Sequence, residues 1–167
     1  MQQRLPLAPF AGWPVQIFDE RIGFIWYARP AAFVTQSVVE HGSLEALHLM
    51  NDYMDQVIAA RPEELALAGG LLVFHDWRTI RTYDKAARTQ QVERMRRRAK
   101  GYSRGAVVVV APKNRLLRMA IEAANLVVTI ALGSRIELAT DVVASLARQR
   151  LEAPRPGEPL PGSSSAE

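Results

Sequence analysis

His75 and Asp76 stand side by side in LLVFHDW, and Asp84 closes the segment WRTIRTYD that follows. Histidine titrates near neutrality and a carboxylate can orient it, so these three residues are the chain's nearest approach to acid–base chemistry. But LLVFHDW reads as a strand, and adjacent strand residues point to opposite faces of a sheet. A strand end with one polar side chain facing the loop is the simpler reading. A small-molecule enzyme using His75, Asp76 and Asp84 is kept only as a last alternative.

No other constellation takes its place. His41 and His48 are the remaining histidines, and Gly42 and Ser43 break the helix that would align them. A metal site needs more converging ligands than that, so no metal and no cofactor is expected. The phosphate-binding glycine patterns and the nucleophile elbow are absent. Lys113 and Asn114 in APKNR could present an anion site at a helix start, although Pro112 and Asn114 also serve simply to begin that helix. Glu63–Glu64 and Asp19–Glu20 read as solvated turn carboxylates. The chain has no cysteine, which excludes disulfides, thiolate-bound zinc and thiol catalysis and fits a reducing compartment.

Positive charge is the feature with most content. Residues 1–70 carry four basic and eight acidic groups, and residues 71–167 carry seventeen and nine. Most of the excess lies between Arg78 and Arg104. Within it, Arg94, Arg96, Arg97, Arg98 and Lys100 crowd the end of one helical segment. A helix dipole favours cations at its C-terminus by about 0.3–1 kcal/mol each, which accounts for one or two of them, not five. The plain alternative is a solvated face. The functional one is a docking surface made of Arg78, Arg81, Lys85, Arg88, Arg94, Arg96, Arg97, Arg98 and Lys100. Its partner would be an acidic protein first, anionic lipid second. Nucleic acid is disfavoured, because Tyr102 is the one nearby aromatic and no stacking platform accompanies it.

The elements that must position these residues follow from periodicity. Residues 1–14, with Pro6, Pro9 and Pro14, read as an extended lead. Val15–Phe18 and IGFIWYAR read as a hairpin, and FVTQSVVE as a third strand or its continuation. Ser43 caps a helix carrying Leu44, Leu47, Met50, Met54 and Val57, which Pro62 stops. LLVFHDW is a strand covered on both faces. Asp84 caps the basic helix, over about residues 85–100. AVVVVAP is a central strand. Asn114 and Gly133 bound a long, nearly all-apolar helix, read as buried because its charges make it unfit to span a bilayer. RIELA is a last strand, and Asp141 caps a last helix ending near Leu151. Residues 152–167 read as a disordered Pro/Gly/Ser tail. The expected fold is therefore α/β: one domain over residues 15–151, a mostly parallel sheet, an antiparallel N-terminal hairpin and about four helices. The N-terminus has no apolar run of signal-peptide length, and a cytoplasmic location is expected.

The segment LLVFHDWRTIRTYDKAART, followed by AVVVVAPKNRLLRMAIEAANLVVTIALGSRIELATDVVASL, resembles the STAS-like fold of sulfate-transporter and anti-sigma-factor-antagonist domains and its Sec14-like relatives. The resemblance runs from about Val15 to Leu151 and rests on element order and on Asp84 at a helix start. It implies a non-enzymatic regulatory or scaffolding module of bacterial-type signalling, which meets a protein partner through the loop Trp77–Lys85 and the basic helix. STAS regulators carry a phosphorylatable serine after that aspartate; here Lys85 stands there, so a divergent module without that switch is expected. Thr82 and Asp84 remain as candidate switch or loop residues. Homo-oligomerisation through a sheet edge or the apolar helix stays open.

Overall fold

Alternating faces of short β-branched and aromatic strands set the architecture. The computed structural model describes residues 4–163. In chain order the elements are β1 (Ile17–Asp19), β2 (Gly23–Ala28), β3 (Ala32–Ser37), β4 (His41–Gly42), α1 (Leu44–Ala60), α2 (Pro62–Leu67), β5 (Leu71–Asp76), β6 (Thr82–Tyr83), α3 (Lys85–Arg97), β7 (Ser103–Val109), α4 (Arg115–Leu132), β8 (Ile136–Ala139) and α5 (Val142–Gln149). Six strands form one sheet in the order β1-β2-β3-β5-β7-β8. Pairing is antiparallel through β3 and parallel beyond it. The expected α/β class, parallel sheet and N-terminal hairpin are what the chain forms. β4 and β6 make a separate two-residue parallel pair.

Three of the four expected N-caps make their side-chain bonds. Ser43 Oγ accepts from Ala46 N at 3.0 Å, Asn114 Oδ1 from Leu117 N at 3.2 Å and Asp141 Oδ1 from Ala144 N at 3.0 Å. Gly133 closes α4 at φ +63°, a conformation that costs glycine nothing. Two boundaries differ from expectation. Pro62 ends no helix by itself but starts α2, where its missing N–H is not needed. That gives five helices rather than four. The basic helix stops at Arg97, because Arg98 is already extended, at ψ 153°.

Period-two alternation divides the core between the two faces of the sheet. One face turns Ile25, Tyr27, Phe33, Leu71 and Val73 toward Met50, Met54 and Val57 of α1. Toward β7 and β8 it continues under Leu117 and Ile121 of α4. The opposite face turns Phe24, Trp26, Val34, Leu72, Phe74 and Val109 toward Phe10 and α5.

The chain ends correct the expected domain limits. Phe10 of the lead is fully buried and stacks on Trp26 at 5.1 Å. Gln36, also buried, clasps the lead by accepting from Leu7 N at 2.8 Å and donating to Leu7 O at 3.0 Å. The tail is likewise not loose over 152–163. Glu152 exchanges backbone hydrogen bonds with Arg29, and Leu160 is buried in the α1 core. A single well-placed leucine outweighs the prolines and glycines around it. The folded unit thus extends past residues 15–151 at both ends. The first three residues of the lead and the last four of the tail lie outside the described residues.

Candidate functional site

The basic segment is drawn partly inward. Arg94 reaches across to α1 and donates to Asp52 Oδ1 at 2.6 Å and Asp55 Oδ2 at 2.8 Å. Arg98 donates to Asp55 Oδ1 at 2.7 Å and Asn51 Oδ1 at 2.8 Å, with its side chain only 6 % exposed and its guanidinium over the Tyr102 ring. The acidic first half and basic second half of the chain meet here as an α1–α3 seam. These two arginines join helices; they are not available to a partner. Among the described residues Lys85, Arg96, Arg97 and Lys100 have no ion-pair partner and lie exposed. Arg88 donates to Tyr83 Oη at 3.0 Å.

The Trp77–Lys85 loop is anchored at several points, with Arg81, Thr82 and Lys85 exposed. Arg78 grips Asp76 through two bonds of 2.8 Å and donates to Ala8 O at 2.8 Å, tying the loop to the lead. Thr79 Oγ1 donates to Ser37 O at 2.8 Å. Arg81 meets Glu40 at 3.5 Å, both exposed. His41 spans Thr82 Oγ1 at 2.8 Å and Asp84 Oδ1 at 2.9 Å.

Asp84 occupies the cap position of α3 but makes no capping bond there. Its other oxygen accepts from Leu44 N, at the start of α1, at 2.6 Å. That amide and His41 hold its carboxyl below the ordinary carboxylate range. The expected cap of α3 is thus a clamp on α1, because β4–β6 pairing brings that orphan amide within reach.

His75 and Asp76 do face opposite ways. Asp76 belongs with Arg78, Gln36 and the lead. His75 looks toward α1 and α4, shares a 2.7 Å hydrogen bond with Thr35 Oγ1 through Nδ1, and stacks on Trp77. Burial pushes it down to about 4, so it is neutral near pH 7. The trio His75, Asp76 and Asp84 therefore sits in three separate hydrogen-bonding sets. Among the described residues no three His, Asp or Glu side chains gather as metal ligands.

What the sequence reading missed lies on α4. The helix is buried on one side only, through Leu117, Ile121 and Val128. Three-, four- and seven-residue spacings put Leu116, Met119, Leu126, Val127 and Ile130 on the outer side, with Leu116 82 % and Ile130 77 % exposed. A soluble helix that is apolar all round is ordinarily buried; this one has sheet beneath it and nothing above it among the described residues. Arg88 and Arg96 border the groove between α3 and α4, opposite Val127. Arg115 lies exposed at the helix start. Glu93 beside the groove and Glu122 on α4 are the acidic groups of this face. The signal was present in the nearly all-apolar run, which holds more apolar surface than one packing layer can cover.

No family model, curated protein or solved structure matches this chain. The helices of the described residues include none long and apolar enough to cross a membrane.

Proposed function

We propose that the chain is a cytoplasmic, non-enzymatic docking module of STAS-like type that seats its α3–α4 face on an anionic membrane surface. The observation that carries this is the line of five large apolar side chains exposed on α4, with cations of α3 beside it. Apolar patches of this kind on monomers mark interaction sites more often than chance exposure. A helix lying at a membrane surface buries such a stripe among acyl chains while neighbouring cations meet anionic headgroups, each contributing about 1 kcal/mol. An acidic protein would meet the same cations, and the regulatory reading of the STAS-like resemblance points that way. The lipid surface is favoured because it accepts a bare apolar line without needing a matching shape.

The test is co-sedimentation with phosphatidylglycerol-containing vesicles and with pure phosphatidylcholine vesicles at low and physiological salt. Binding is expected to the anionic vesicles only, weakened by salt and by Arg96→Glu with Arg97→Glu, and abolished by Leu116→Ser with Ile130→Ser. Absence of binding at low salt, or binding indifferent to both pairs of substitutions, would overturn the reading. Concentration-dependent self-association lost in Leu116→Ser/Ile130→Ser would move the face to a dimer contact.

A further inference from the structure

Beneath the docking face, between the sheet and helices α1, α3 and α4, lies a cavity of about 200 Å³. Met50, Met54, Val73, Val108, Ile121 and Val128 supply much of its wall. Protein interiors are ordinarily filled to crystal-like density, with few voids larger than a water molecule. A dry apolar cavity of about 150 Å³ is already enough to take up benzene. This one therefore has room for a ring or a short chain with a small substituent.

One polar group interrupts the apolar wall. His75 is 5 % exposed and lines the cavity from β5. Its Nδ1 is engaged by Thr35 Oγ1 at 2.7 Å, while Nε2 has no hydrogen-bond partner among the described residues. Buried polar atoms are almost always partnered, and one left open toward a cavity takes its bond from whatever occupies that space, water or a ligand. The Thr35 hydroxyl can donate to or accept from Nδ1, so Nε2 can present either an N–H or a lone pair.

We infer that this cavity is a binding site for a small, largely apolar ligand carrying one uncharged hydrogen-bonding group, such as a hydroxyl, which pairs with Nε2 of His75. An anionic group fits poorly there. At Nε2 the imidazole is neutral and offers an anion no opposite charge; of the guanidinium groups on the lining, Arg21 is paired with Asp19 and Glu45, Arg88 donates to Tyr83 Oη, and Arg98 is paired with Asp55 through Nε, its Nη1 being left without a hydrogen-bond partner. The site is separate from the outer face of α4, and its test does not depend on membrane binding.

The probes are p-cresol, toluene and benzoate, titrated into the full chain by calorimetry. Toluene and p-cresol are expected to bind and benzoate not to. In His75→Leu the p-cresol-to-toluene affinity ratio should fall at least about fivefold, the worth of one hydrogen bond, while toluene binding persists. A second measurement uses the unaltered chain and so survives any folding defect of the variant. The ¹⁵N resonance of His75 Nε2 should shift on adding p-cresol by more than on adding toluene. No binding of either neutral probe, tighter binding of benzoate, or a His75 resonance that responds equally to p-cresol and toluene would overturn the inference.

Discussion

The two faces of the sheet are built on the same strands and filled differently. Against β2, β3 and β5 on one side, Phe10, Trp13, Phe24 and Trp26 pack ring to ring at 4.9–5.6 Å, and the Trp26 indole donates to Pro14 O at 2.8 Å. The lead supplies two of those rings and α5 covers the remainder. On the other side, helices α1, α3 and α4 cover methionines, valines and a half-open cavity, with one histidine lining it. Rigid aromatics joined by short connections give a solid layer. Flexible methionines beneath helices held by charged seams give a layer with room in it. The docking and binding proposals both lie on the second side, and the first is the scaffold.

The sharpest way to break this contrast is to attack the solid face. Trp26→Ala should lower stability by about 3–5 kcal/mol, read as a shift of the denaturant midpoint, because a fully buried indole and its hydrogen bond are both lost. A cost below 1 kcal/mol would mean that the aromatic layer is not the scaffold.

Acid probes the other face. The folded chain holds His75 down to about 4 against an ordinary value of 6.5, so the unfolded chain takes up the proton first. Stability is therefore complete above pH 6.5 and declines as pH falls toward 4. At ~1.4 kcal/mol per pH unit over that interval, the loss is about 3 kcal/mol. Denaturation curves across pH 7 to 4 should show this slope in the unaltered chain and a flatter one in His75→Leu. Asp19 and Asp84 are held low and lose their contributions only in more acid solution, below the ordinary carboxylate value of 3.8.

Adding volume compares the faces directly. Val34→Leu, on the solid face, should cost about 1–3 kcal/mol through overpacking. Val108→Leu, on the cavity wall, should cost less than about 0.5 kcal/mol or stabilise the chain, since the added methylene has space to enter. Equal costs would argue that the cavity closes in solution. The smallest effect belongs to the outer surface. Leu116→Ser with Ile130→Ser should change stability by no more than about 0.5 kcal/mol per site while removing vesicle binding, because both side chains are exposed already.

Much of the scaffold was legible in the sequence. β5 and β7 announce themselves as continuous apolar runs, and Ser43, Asn114, Gly133 and Asp141 mark helix ends by local chemistry. Local patterns fail where a residue's partner is far along the chain. The Arg94–Asp52 and Arg98–Asp55 pairs join residues about forty apart, and only the opposite charge of the two halves hinted at them. Asp84 was legible as a cap, but not as the cap of a different helix. In the lead and the tail prolines and glycines dominate the composition, whereas the buried Phe10 and Leu160 decide how those segments pack. As sequence neighbours, His75 and Asp76 suggest acid–base chemistry. The strand period rightly separated the two, and gave no sign of the open space that His75 faces.

The central claim is that the α3–α4 side is the working face. Amide hydrogen exchange of the full chain, with and without phosphatidylglycerol-containing vesicles, tests it most directly. Added protection confined to residues 85–97 and 115–132, with α5 and the lead unchanged, is the result the account predicts. Protection that falls on α5, or no change anywhere under conditions that sediment the protein with vesicles, would contradict it.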